Sequence, residues 1–116
     1  MEENCIFCKM FRGEISTIKF VESNNFFVIK DIHPKTRGHS LVISKEHYVN
    51  FSDLPLELYS ELLETTKKAV LILIEEEKAD GFNLVMNNQE VAGQVIGHAH
   101  LHILPRYKDD GFKLNV

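Results

Sequence analysis

Long apolar runs are missing from these 116 residues, and so is any surplus of positive charge. No stretch reaches the ~18 apolar residues of a membrane-crossing helix, and the N-terminus lacks the pattern of a secretory leader. The chain therefore reads as cytoplasmic and free of membrane partners. Lys and Arg number 13 against 17 Asp and Glu, for a net charge of −4. That balance argues against general nucleic-acid binding, which needs a basic surface along the phosphate backbone. A small phosphate-bearing ligand remains open, because a site can be locally basic. Cysteine is scarce: Cys5 and Cys8 are the only two. A pair this close in a reducing compartment points to a metal site or a redox pair rather than a structural disulfide. There is no internal repeat, linker or low-complexity tract, so residues 1–116 read as a single domain. A hydrophobic content of 44% supplies its core.

What is present follows a simple order. Residues 1–4 read as a loose arm. Cys5 to Phe11 forms a short apolar helical turn, ended by Gly13. Strands are expected over 18–22 and 26–31, joined by Ser23-Asn24-Asn25, whose asparagines suit a tight turn. A loop with Pro34 and Gly38 leads to a third strand over 39–44. Ser52, Asp53 and Pro55 signal the start of one long helix, and Asp80-Gly81 its stop. Leu58, Leu62, Thr65, Ala69 and Leu73 recur at helical spacing as its buried stripe, while Glu75-Glu76-Glu77 reads as a solvated face. A fourth strand is expected over 82–88 and a fifth within 97–106, with a surface tail beyond. Helices separate few of these strands, so the fold class is α+β: about five strands in a mainly antiparallel sheet, one long helix and a short N-terminal helical turn.

Three of the six histidines stand at alternate positions in the fifth strand: His98, His100 and His102. A period of two places them on one face, opposite Ala99, Leu101 and Ile103 on the core side. His98 and His102 are then about 13 Å apart, so one ion cannot take all three. At least one imidazole must do something else.

Two chemistries compete for them. Cys5-x-x-Cys8 is half of a tetrahedral zinc site, and histidines would complete it, with His47 and His98 both placed to approach the N-terminal turn. The two cysteines can also be read as small buried hydrophobes. His-x-His on a strand can build an open catalytic zinc site instead. Alternatively, a neutral imidazole held in the right tautomer is a nucleophile toward phosphorus. Asn87, Gln94 and the backbone around Gly93 would then serve phosphate oxygens.

The run His98-Ala99-His100-Leu101-His102-Ile103-Leu104 resembles the signature of the histidine-triad (HIT) superfamily of nucleotide hydrolases and transferases. Cys5-Ile6-Phe7-Cys8-Lys9, Gly13-Glu14-Ile15, Asp31-Ile32-His33-Pro34, Gly38-His39-Ser40-Leu41-Val42-Ile43 and Ala92-Gly93-Gln94 follow the same family in its order, over nearly the whole chain. The cysteine pair is similar to its prokaryotic zinc-containing Hint-like branch. The resemblance implies a HIT domain that forms a homodimer by joining two sheets. It implies a structural zinc on Cys5, Cys8, His47 and His98, and no cofactor in the chemistry. It makes His100 the nucleophile that forms a nucleotidyl-histidine, with His102 on the phosphate and His39 supporting. Asp31 would hold the ribose hydroxyls, Phe7, Ile29 and Ile32 the base, and Asn87, Gly93 and Gln94 the phosphate or leaving group. The implied activity is hydrolysis of purine nucleoside phosphoramidates or related AMP and GMP conjugates. Dinucleoside polyphosphate hydrolysis, nucleotidyl transfer, a triad-zinc metallohydrolase and a non-enzymatic zinc-stabilised nucleotide-binding module are the alternatives. Val95 departs from the eukaryotic Hint branch, where a serine stands near the leaving group, and the tail lacks that branch's Trp.

Overall fold

The computed structural model describes residues 3–116. Five strands form one sheet in the order β1-β2-β3-β5-β4, with β1 at Val21–Glu22, β2 at Phe26–Lys30, β3 at Ser40–Ser44, β4 at Gly81–Val85 and β5 at His100–Arg106. Every neighbouring pair is antiparallel. With α1 at Ile6–Phe11 and α2 at Tyr59–Glu77, this is the α+β architecture expected from the sequence.

The register sorts side chains onto two faces. Val28 lies beside Val42, and Val42 beside Leu101. These, with Phe26, Ala99 and Ile103, meet Leu62, Ala69, Val70 and Leu73 of α2 in the larger core. Burying each such Leu or Ile contributes about 1.5–3 kcal/mol. On the other face Ile29, Leu41 and His102 are successive neighbours, as are Phe27, Ile43 and His100. A smaller core there joins Phe27, Ile29, Leu41 and Ile43 to Phe7 of α1, with Cys5, Met10 and Ile96 at its margin. The two helices thus cover opposite faces, and the His face is a second core rather than a solvated surface.

Several boundaries move. The long helix starts at Tyr59, because residues 51–53 and 56–58 form two 3-10 turns; the Asn50 side chain caps the first by accepting from the Ser52 N–H at 3.0 Å. Its end comes at Lys78, which adopts a left-handed φ of 56° ahead of the expected Asp80-Gly81. β1 is shorter than expected, since Ile18 is exposed, and β4 stops at Val85 rather than Asn88. Glu77 is not simply solvated: it pairs with Lys30 at 2.9 Å and Arg37 at 3.4 Å. Gly38 (φ +85°) sits against this same residue, and a Cβ there would lie 2.9 Å from Glu77 Cγ, so only glycine fits.

Candidate active site and metal cluster

Cys5 opens α1, and its Sγ accepts from the Cys8 N–H at 3.4 Å. One helical turn therefore puts both thiols on the same side. His47 follows β3, and His98 precedes β5. Their donor atoms converge. His98 Nδ1 lies 3.2 Å from Cys5 Sγ, 3.5 Å from Cys8 Sγ and 3.1 Å from His47 Nδ1, and His47 Nδ1 lies 3.3 Å from Cys8 Sγ. A tetrahedron with arms of about 2.0–2.3 Å has edges of roughly 3.3–3.8 Å, so these spacings fit one zinc-sized ion. The tautomer fits as well. His98 Nε2–H donates to the Ser44 carbonyl at 2.7 Å, which leaves Nδ1 as a bare lone pair facing the thiols. A cleft walled by Asn4, Ile6, Val95, Ile96 and Gly97 opens onto Cys5 and His47.

Asp31, His39 and His102 form a second group whose donor atoms all lie within 4.8 Å. Here the tautomers argue against a metal. The Lys35 backbone N–H donates to His39 Nδ1 at 3.0 Å, so a neutral His39 carries its proton on Nε2. That proton is donated to His102 Nδ1 at 2.9 Å. Neither facing nitrogen has a lone pair to spare. His102 is left with its proton on Nε2, a donor.

His100 has the opposite arrangement. Its Nδ1–H donates to the His98 carbonyl at 2.7 Å, leaving Nε2 unprotonated. Phe7 closes on it edge-to-face, with ring centroids 5.2 Å apart, and the His102 ring lies 5.1 Å away. Burial lowers the pKa of His39 and His100 below the ordinary imidazole value and that of His98 and His102 to about 4. For His39 and His100 the Asp31 charge pulls the other way, and the His98 carbonyl also opposes at His100. All four rings are neutral at pH 7, which a nucleophile and a metal ligand both require.

A HIT-domain profile matches residues 12–109. The chain belongs to the HIT family. An uncharacterized HIT-like protein of Methanocaldococcus jannaschii is 41% identical over 107 residues, covering 92% of this chain and 82% of that one. An adenosine 5'-monophosphoramidase of Candida albicans is 34% identical over 117 residues, covering 97% of this chain and 76% of that one. The crystal structure of a HIT family protein from Bacillus anthracis superposes with a TM-score of 0.92 at 38% identity, covering 100% of this chain and 83% of that one.

In this HIT chain the remaining candidate residues fall into three settings. Asp31 stands at the end of β2, its Oδ2 3.6 Å from His39 Nε2, while its Oδ1 accepts the His33 N–H at 2.9 Å. Phe7 and Ile29 are buried in the smaller core, whereas Ile32 is 80% exposed. Asn87 and Gly93 face each other across the loop before β5, where Asn87 Nδ2 lies 3.5 Å from the Gly93 carbonyl. Gly93, at φ +94°, makes the turn. Gln94 braces that loop from within: its Oε1 accepts the Gln89 N–H at 2.8 Å, and its Nε2 donates to the carbonyls of Val49 at 2.5 Å and Ile96 at 3.0 Å. Residue-type reasoning missed three backbone groups that set the tautomers: the Lys35 N–H and the Ser44 and His98 carbonyls. Backbone groups are the same in every residue, so no sequence signal marks them.

Proposed function

We propose that this protein is a nucleotide hydrolase that cleaves purine nucleoside phosphoramidates or related AMP conjugates through a nucleotidyl-His100 intermediate. The observation that carries this reading is the His100 tautomer: Nδ1–H is held by the His98 carbonyl, and Nε2 is left with its lone pair. In the reaction Nε2 forms a bond to the α-phosphorus as the P–N bond to the leaving amine breaks. Val95 offers the amine no proton, which comes from solvent. Water then hydrolyses the N–P bond and restores His100. His102, donating from Nε2 because His39 occupies its Nδ1, stabilises charge on a phosphoryl oxygen. Asp31 accepts from the ribose hydroxyls. Phe7, Ile29 and Ile32 form the base side, and the loop with Asn87, Gly93 and Gln94 surrounds the phosphate. The C. albicans relative named for AMP-phosphoramidate hydrolysis supports the reading.

Cys5, Cys8, His47 and His98 would hold zinc, the prokaryotic-branch feature. With four protein ligands no coordination position is open, so the ion supplies structure rather than a reactive water. Rapid-quench mass spectrometry during turnover of an adenosine phosphoramidate tests the mechanism. An AMP adduct on the peptide carrying His100 is expected, and none in His100→Ala. Turnover with no adduct at any quench time would overturn it.

A further inference from the structure

His98 belongs to both halves of the site. Its ring faces the thiols and His47, and its own carbonyl receives the His100 Nδ1–H. That carbonyl is not held by the sheet: the β3–β5 ladder begins two residues later, with Ile43 opposite His100. The other end of the same peptide plane is the Ala99 N–H, which donates to the Tyr48 carbonyl at 2.6 Å. Tyr48 follows His47, another cluster residue. Phe7 makes a third link. It precedes Cys8 and sets its ring edge-to-face against both His98, at 5.6 Å and 85°, and His100, at 5.2 Å and 66°. Each of these three links to the nucleophile is thus next to, or part of, a residue of the Cys–His cluster.

We propose that the Cys5–Cys8–His47–His98 cluster, when it holds its ion, is a positioning device for His100. It clamps the His98–Ala99 peptide plane, and the His98 carbonyl then fixes the tautomer and aim of the nucleophile. His47 and His98 act as positioning residues. The inference rests on His100 being the nucleophile. Loss of the ion frees the peptide plane, and His100 then samples the other tautomer. The ribose and base contacts of Asp31, Ile29 and Ile32, at the β2 end of the sheet, lie outside these segments and are left in place.

The full-length His47→Ala and His47→Cys proteins test this, the second keeping four metal donors. Zinc content, the kcat and KM for an adenosine phosphoramidate, and the NMR signal of His100 Nδ1–H are measured on each. In His47→Ala, zinc and the Nδ1–H signal are expected to be lost. The kcat should fall by about tenfold or more, with KM changing by a smaller factor. His47→Cys should restore zinc, signal and kcat together. Loss of zinc with signal and kcat unchanged would overturn the proposal. If His47→Ala does not fold, the same signal is followed in wild type as a chelator withdraws zinc. Its loss ahead of global unfolding supports the clamp, and its loss only with unfolding overturns it. Zinc-loaded His100→Ala that still turned over would remove the nucleophile reading alone, because the Nδ1–H signal reports the clamp without reference to the chemistry.

Discussion

A neutral imidazole has one proton for two nitrogens, so whatever binds one nitrogen decides what the other can do. The triad shows this three times. A carbonyl on Nε2 leaves His98 a lone pair on Nδ1, a carbonyl on Nδ1 leaves His100 a lone pair on Nε2, and His39 on Nδ1 leaves His102 an Nε2–H to donate. The shared face of these histidines was legible from the period of two. Their tautomers were not, because the deciding partners are backbone groups or lie far away in sequence. Burial of His102 has a measurable cost in acid. Its folded pKa of about 4 lies below the ordinary 6.5, so the folded state binds fewer protons than the unfolded chain between those values. Stability is full above pH 6.5 and falls as the pH drops toward 4, by about 2–3 kcal/mol at pH 4.5. Urea unfolding of wild type and His102→Gln at pH 7 and pH 4.5 checks the sign. The variant should lose less stability on acidification, by roughly that amount. Equal losses would mean that His102 titrates normally in the folded protein.

Elements with strong local codes came through from sequence. The Asn-rich hairpin turn and the stripe of α2 are where they were expected, and Glu61 ties them together by accepting from Ser23 Oγ and the Asn25 N–H, both at 2.6 Å, and from Asn25 Nδ2 at 2.7 Å. Elements ordered by distant partners did not come through. The segment after Arg106 reads as a polar surface tail, yet Arg106 organises it. Its guanidinium donates to Asp110 at 2.8 and 3.0 Å, to Asn83 Oδ1 at 2.9 Å and to the Phe112 carbonyl at 2.5 Å. Asp110 in turn accepts the Tyr107 and Phe112 N–H groups, each at 3.0 Å. No periodicity encodes a segment folded around one side chain. Arg106→Ala leaves those acceptors without their donor, so the tail should detach while the sheet stays folded. Trypsin should then cut at the exposed Lys108 and Lys113 at least about tenfold faster than in wild type, the factor that corresponds to a local opening made ~1.4 kcal/mol easier. An unchanged cleavage rate would show that Tyr107, whose hydroxyl donates to the Arg37 carbonyl at 2.7 Å, suffices to hold the tail.

At the scale of the whole molecule, one side of the fold is left incomplete. β4 pairs only with β5 and is an edge of the sheet. Its Phe82 and Leu84 are 44% and 45% exposed, and its outer backbone groups form a template for another strand. The helix continues this surface. Glu61 of α2 points to the β1–β2 turn, so the flank about half a turn around the helix, with Leu63 and Ile74, lies toward the β5–β4 side. Leu63 is 64% exposed. An apolar helix flank beside an unpaired apolar edge strand is what a two-fold interface needs, since the same patch can meet its own copy. The homodimer implied by the HIT resemblance would form there, β4 against β4, extending the sheet across both subunits. Sedimentation of the wild-type protein at micromolar concentration should therefore give twice the 13.4 kDa chain mass. Leu84→Asp should sediment as a monomer, because a carboxylate would be buried without a partner at the join. Leu63→Glu, which touches no strand pairing, serves as the second variant and should weaken the dimer while leaving the circular dichroism unchanged. A monomeric wild type, or variants that stay dimeric, would move the interface away from this edge.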